Sequence, residues 1–225
     1  MKYYPVNLDI QNRPCLVVGG GRVGTRKVKT LLDCMARVTV VSLESTDDLN
    51  RLAETGRIQI QRRSYASSDL DGMFLVIGAT DNEALNQRIH SDAEKRNMLC
   101  NIADRPAACN FILPAIVQRG DLILAISTSG KSPAFAKSLR KKLEREFGDE
   151  YEAFLNLMGA IRERLLKTSH EPEVHKPLFE KLIAGNLIGL IESGKIDRIN
   201  QLLEQVLGEG FDYQTLLDDA DKDRK

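Results

Sequence analysis

The chain has 225 residues, with 32 Lys and Arg balanced by 32 Asp and Glu; this length allows one or two domains with an ample buried core. Zero net charge argues against wrapping duplex nucleic acid or lying on an anionic membrane, and 5% aromatic residues with no Trp offer little for stacking bases. Four scattered cysteines, Cys15, Cys34, Cys100 and Cys109, form no C-x-x-C pair, which excludes a disulfide scaffold and fits mostly buried thiols in a reducing compartment. The first residues lack the apolar core of a secretion signal and no apolar run reaches the roughly 18 residues of a membrane span, so a cytoplasmic protein is expected.

Short apolar runs alternate with helical patterns over the first two-thirds. Cys15-Leu16-Val17-Val18 is a buried parallel strand running into glycines. Val28, Leu31, Leu32 and Met35 then mark one face of a helix. Val38 to Val41 is the second strand, Leu49 to Ala53 a short helix, and Ile58-Gln59-Ile60 a third strand whose alternation suits a position nearer the edge. Phe74 to Ile77 is the fourth strand. Leu85, Ile89 and Ala93 mark a helix, followed by strands at Leu99 to Ile102 and Leu122 to Ile126. Such alternation needs crossover connections, so the fold class is α/β, a doubly wound, mostly parallel Rossmann-type sheet that binds ligands beyond the carboxyl ends of its strands. From about Glu150 the strand signal stops. Tyr151, Phe154, Leu155, Met158, Ile161 and Leu165 trace one helical face and Ile199, Leu202, Leu203 and Val206 another, punctuated by Pro172, Pro177, Gly194 and Gly208, while Asp218 to Lys225 reads as a frayed tail.

Gly19-Gly20-Gly21-Arg22-Val23-Gly24 is G-x-G-x-x-G between a strand and a helix. Gly19 allows the tight turn, Gly21 lets a pyrophosphate approach the backbone and Gly24 allows close packing, with the free N–H groups of the helix start holding the anion. The acidic residue expected after the second strand is Glu44, with Ser42 as an alternative partner for the ribose. No Arg stands there for a 2′-phosphate, which favours NAD over NADP; the bland reading of Glu44 is a solvated loop charge.

Asp104 follows a strand and precedes Arg105-Pro106, which places a carboxylate at the ligand edge. It could take a proton, balance a cation or hold a metal, or simply cap a turn. In Ser127-Thr128-Ser129-Gly130-Lys131-Ser132-Pro133, Ser132 reads as an N-cap with Pro133 at the first helical position. Ser127, Thr128 and Ser129 form a polar concavity ahead of a helix bearing Phe135, Ala136, Leu139 and Leu143 on one face. Lys137, Arg140, Lys141, Lys142 and Arg145 occupy the rest, either a solvated surface or a site for an acidic substrate. His90, His170 and His175 have no metal-ligand spacing, so no dedicated metal site is expected.

Together these residues resemble the precorrin-2 dehydrogenase and sirohydrochlorin ferrochelatase proteins of the siroheme synthase amino-terminal type. The resemblance rests on Tyr4-Pro5-Val6, on Val17 through Gly24 followed by Arg26-Lys27, and on Ala79-Thr80-Asp81. It continues through Asn101 to Asp104, Phe111 to Ala115 and Ile126 to Pro133, in order over about 147 residues. It implies three parts: an NAD-binding Rossmann domain over 1–111, a dimerisation segment over 112–149 and a helical domain over 150–225. It also implies NAD-dependent oxidation of precorrin-2 to sirohydrochlorin by a homodimer, in some members with insertion of Fe²⁺ or Co²⁺, for which Asp104 is the only candidate contact. By the same resemblance Arg22, Val23, Leu43, Glu44 and Thr80 meet the cofactor and Asp104 serves catalysis. Asn101, Arg105, Ser127, Thr128, Ser129, Lys131, Lys137 and Arg140 are candidates to face the acidic tetrapyrrole. Three departures are visible. Gly24 replaces a frequent Ala, a change expected to be harmless; Thr128 replaces a phosphorylatable Ser; and Arg105 replaces a common second Asp, a cation expected to act on Asp104 or on a substrate carboxylate. A non-catalytic NAD-sensing module is the reading from another class.

Overall fold

The computed structural model describes residues 2–168 and 172–223. It forms two compact units, Met1–Leu113 and Pro114–Lys225. In the first, five parallel strands, β1 (Pro14–Gly20), β2 (Arg37–Ser45), β3 (Ile58–Gln61), β4 (Leu75–Gly78) and β5 (Leu99–Ile102), lie in the order β3-β2-β1-β4-β5. The chain order reverses between β1 and β4, where doubly wound sheets open a crevice at their carboxyl ends.

The helices cover both faces, as the alternation requires. Cys15 and Val17 of β1 pack with Val38, Val40 and Ile77 beneath Val28 and Leu31 of α1 (Arg22–Asp33) and Leu49 of α2 (Asp47–Glu54). The opposite face, Leu16, Val18, Val76, Cys100 and Ile102, packs on Ile89 and Ala93 of α3 (Glu83–Glu94) and on Leu70. The alternating strand Ile58–Gln61 does form an edge. Met35, expected on the buried stripe of α1, is exposed and left-handed, because the helix ends at Asp33 and the chain must reverse into β2.

The second unit opens with an antiparallel pair, β6 (Ala115–Arg119) and β7 (Leu122–Ile126). The segment Leu122–Ile126 is therefore not the last member of the parallel series. Gly120, with φ of 53°, and Asp121 join it to a strand that sequence reading did not find, although a two-residue Gly-Asp link between apolar runs is a hairpin signature. Helix α4 (Pro133–Glu146) follows, and then α5 (Glu150–Thr168), α6 (Pro172–Ala184), α7 (Leu187–Glu192), α8 (Ile196–Leu207) and α9 (Tyr213–Asp223). Phe154, Leu157, Ile161, Leu182, Leu187, Ile199, Leu203 and Leu216 form their common core. Pro177 does not break α6 as expected; the helix runs through it, because burial of His175 and Leu182 on either side outweighs the proline's lost hydrogen bond. The expected frayed tail is helical through Asp223, and residues 224–225, like His170, lie outside the described residues.

The glycine turn is fixed by backbone contacts. A Cβ at Gly19 would strike the Ala79 carbonyl at the end of β4, one at Gly20 the Glu44 carbonyl at the end of β2, and one at Gly24 the Gly19 carbonyl oxygen. Helix and turn touch at position 24 with no room for a methyl group, so in this chain Gly24 serves the close approach rather than loosening it. Gly24→Ala should destabilise the protein by about 1–3 kcal/mol through overpacking, measured as a lower midpoint in denaturant unfolding with an unchanged slope.

Candidate functional site

The residues singled out in the first unit gather at the carboxyl ends of β1, β2, β4 and β5. Gly21 differs from its neighbours: a Cβ there would meet nothing within 4 Å, so its side faces open space above the start of α1. No side chain caps α1, whereas Thr46 caps α2 and Asn82 caps α3 by accepting the N–H groups of Leu49 and Leu85. Thr25 N–H already bonds the Gly21 carbonyl, so the N–H groups of Arg22, Val23 and Gly24 are those a helix leaves for an external anion. The chain therefore fits a dinucleotide by its own geometry, with an uncapped helix end and an approach that lacks a Cβ.

Ser42, half-buried on β2, accepts the Gly20 N–H at 2.9 Å and fastens the turn to the second strand. That bond uses an acceptor lone pair and leaves the hydroxyl proton free for a ligand. Leu43, 70% exposed, and Glu44, also exposed, follow it. Thr80, beyond β4, donates to the Asn86 side-chain oxygen at 3.0 Å, which orders the loop that Gly19 abuts. An open groove of about 450 Å³ runs beside Arg22, Thr25 and Arg26 of α1 to Thr46 and Asp48 of α2.

Asp104 lies two residues past β5, exposed, with φ of 59° in the left-handed region. It does not cap the 3₁₀ turn Pro106–Ala108, which has Arg105 at its N-cap and no side-chain cap bond, so the carboxylate is left for other work. Arg105 instead pairs with Glu83 at 2.6 Å and holds the Glu83 carboxyl below its ordinary range through that hydrogen bond and its charge. Asn101 is buried, and its amide donates to the Phe111 carbonyl at 3.1 Å.

Sequence reading passed over two residues of this region, Lys27 and Cys109. Lys27, half-buried on α1, has its pKa lowered chiefly by burial and secondly by Arg26, against the raising charges of Asp104 and Cys109. It lies three residues past Gly24, hence on the helix face turned to the crevice, which is the signal that could have found it. Cys109 has its pKa raised by burial, against the opposing effects of a hydrogen bond from Ile102 and the charge of Lys27, so the group stays a thiol. Burial likewise pushes Cys15 up to about 11 and Cys100 up to about 12, while Cys34 is exposed.

In the second unit, Ser127 accepts the Ser129 N–H and Thr128 the Ser132 N–H, each at 3.1 Å, while Ser132 caps α4 by accepting the Phe135 N–H. These hydroxyls shape the loop, with Ser129 and Gly130 left-handed. Lys131 and Lys137 are exposed, and Arg140 pairs with Glu144 on its own helix. Among the described residues no three His, Cys, Asp or Glu side chains gather as they would around a metal, and no helix is long and apolar enough to cross a membrane.

A family of NAD(P)-binding domains matches residues 6–115, and the central segment of sirohaem biosynthesis proteins matches residues 119–146. Over nearly its whole length the chain is similar to the first part of siroheme synthases. It is 38% identical to the siroheme synthase of Ectopseudomonas mendocina, over 92% of this chain and 44% of that protein. The siroheme synthase of Vesicomyosocius okutanii is 34% identical over 95% of this chain and 46% of its own. The chain thus spans under half the length of these relatives. The solved structure of SirC, a precorrin-2 dehydrogenase, superposes with a TM-score of 0.75 at 28% identity, covering 91% of this chain and 98% of that one.

Removing the Ser42 hydroxyl tests the turn directly. Ser42→Ala should leave a buried N–H unpaired at a cost of about 1–3 kcal/mol and weaken NAD binding, read by calorimetric titration beside Ser42→Thr, which keeps the acceptor.

Proposed function

We infer that this protein oxidises precorrin-2 to sirohydrochlorin with NAD as the acceptor. The observation that carries the reading is the placement of an exposed carboxylate, Asp104, at the same sheet edge as an uncapped helix behind a Cβ-free glycine approach. Between them stands only β4, so turn and carboxylate are separated by about two strand spacings, roughly 10 Å.

Bound NAD supplies a two-electron acceptor of hydride. The chain's part is to hold and orient. The N–H groups of Arg22 and Val23 receive the pyrophosphate, Glu44 receives the adenosine ribose hydroxyls and Leu43 offers an apolar surface beside them; a carboxylate at this position favours NAD over its 2′-phosphorylated form. Asp104 takes the proton that the macrocycle loses as hydride departs, so the balance is sirohydrochlorin, NADH and one proton.

The acidic rim of the substrate calls for cations. Arg105 beside Asp104 is the side chain of the first unit that we assign to it, which means exchanging Glu83 for a substrate carboxylate. The same reading takes 1–111 as the cofactor domain, 112–149 as the segment through which two copies associate and 150–225 as the helical domain. Ile116, Ile123 and Phe135, 41%, 47% and 60% exposed, support pairing of copies through the hairpin and α4.

The test is NADH formation from precorrin-2 followed by absorbance. Asp104→Ala should lower the rate by about 10²-fold or more with NAD affinity unchanged; a parent rate removes Asp104 from the chemistry. Intact NAD binding without NADH formation in the parent protein would favour the sensor reading.

A further inference from the structure

Strand β5 is the edge of its sheet, and an edge strand leaves alternate N–H and C=O groups without a neighbouring strand. In β5 these belong to Cys100 and Ile102, since the intervening residues turn toward β4, as the Ala103 N–H to Gly78 carbonyl bond of 2.8 Å shows. Two consecutive residues occupy the free edge. Asn110 accepts the Cys100 N–H through its side-chain oxygen at 2.8 Å, gives its own N–H to the Cys100 carbonyl at 3.1 Å and donates its amide to the Met98 carbonyl at 2.7 Å. Cys109 does the equivalent one step further along: its Sγ accepts the Ile102 N–H at 3.1 Å and lies 3.3 Å from the Ile102 carbonyl and 3.2 Å from the Arg105 carbonyl.

Those last two carbonyls are the ends of a tight turn. Arg105 N–H bonds the Ile102 carbonyl at 3.2 Å, and Asp104 occupies the third position of that turn in the left-handed region, a conformation a non-glycine residue keeps only when its surroundings hold it. Among the described residues Asp104 has no hydrogen bond of its own to fix it. The sulfur is the one side-chain atom that touches both ends of the turn among the described residues. As a thiol it has one proton to donate to either carbonyl while accepting the Ile102 N–H.

We propose that Cys109 is a positioning residue: its thiol closes the Ile102–Arg105 turn and so fixes the carboxylate of Asp104 over the sheet edge. The inference rests on the role given to Asp104 above, and it assigns the cysteine no chemistry with substrate. A sub-ångström to 1 Å displacement of a reacting group is enough to cost up to about 10²-fold in rate, so the thiol's effect belongs in kcat and not in cofactor affinity.

The experiment compares Cys109→Ala, Cys109→Ser and Asp104→Ala with the parent in precorrin-2 oxidation. It records kcat, KM, NAD affinity by titration, thermal midpoint, and amide hydrogen exchange across residues 102–105. Cys109→Ala should lower kcat by roughly tenfold to a hundredfold with NAD affinity unchanged, and should speed exchange at Ile102 and Arg105. Cys109→Ser, which keeps a donor and an acceptor at the position, should recover most of the rate and protection. A parent kcat in Cys109→Ala beside an inactive Asp104→Ala overturns the proposal and leaves the role of Asp104 standing. Equal losses in the Ala and Ser variants, or NAD affinity falling in step with kcat, also overturn it. A parent rate in Asp104→Ala overturns the role of Asp104 and the proposal together.

Discussion

Everything at the ligand edge depends on how closely the backbone approaches itself around the glycine turn. Gly19 lies against the end of β4, Gly20 against the end of β2, and Gly24 of α1 against Gly19, each too near for a Cβ. These contacts, with the Ser42 hydroxyl on the Gly20 N–H, set the direction in which α1 leaves the turn. The direction decides where the unpaired N–H groups of the helix point, and therefore where an anion can be held. Gly21, the one member of the series with open space beside it, faces that position.

The opposite end of the crevice is built by a different device. No glycine or helix start shapes the loop after β5. Side chains returning from the far side of the loop, Cys109 and Asn110, take the hydrogen bonds that a sixth strand would otherwise make. A sheet edge closed in this way gives an exposed acidic residue a fixed base without burying it. Lys27 of α1 stands within electrostatic reach of the same loop, its ammonium favoured by the Asp104 charge against the larger cost of burial.

How much of this was legible in the sequence follows from what each feature depends on. The parallel sheet and its two helical faces were readable because runs such as Cys15 to Val18 and stripes such as Val28 and Leu31 report burial directly, and periodicity is a local property. The glycine fingerprint, Asp104 and the Ser132-Pro133 cap were readable for the same reason, since each follows a strand or starts a helix. Met35 was misplaced because the helix ends where the chain must reverse, which periodicity does not register. The strand Ala115–Arg119 was passed over despite the Gly120-Asp121 link, and Pro177 was taken as a stop because propensity was weighed without the packing around it. Cys109 was invisible as a site residue for a more basic reason: its meaning lies in hydrogen bonds with backbone atoms of the edge strand and its turn, which sequence spacing does not encode.

The most direct test of the account is a crystal structure of the protein with NAD bound. The account predicts the pyrophosphate against the Arg22 and Val23 N–H groups, the adenosine ribose at Glu44 and the nicotinamide ring on the β4 to β5 side, next to Asp104. A dinucleotide bound away from the glycine turn, or lying in the reverse direction with its adenine beside Asp104, would contradict it.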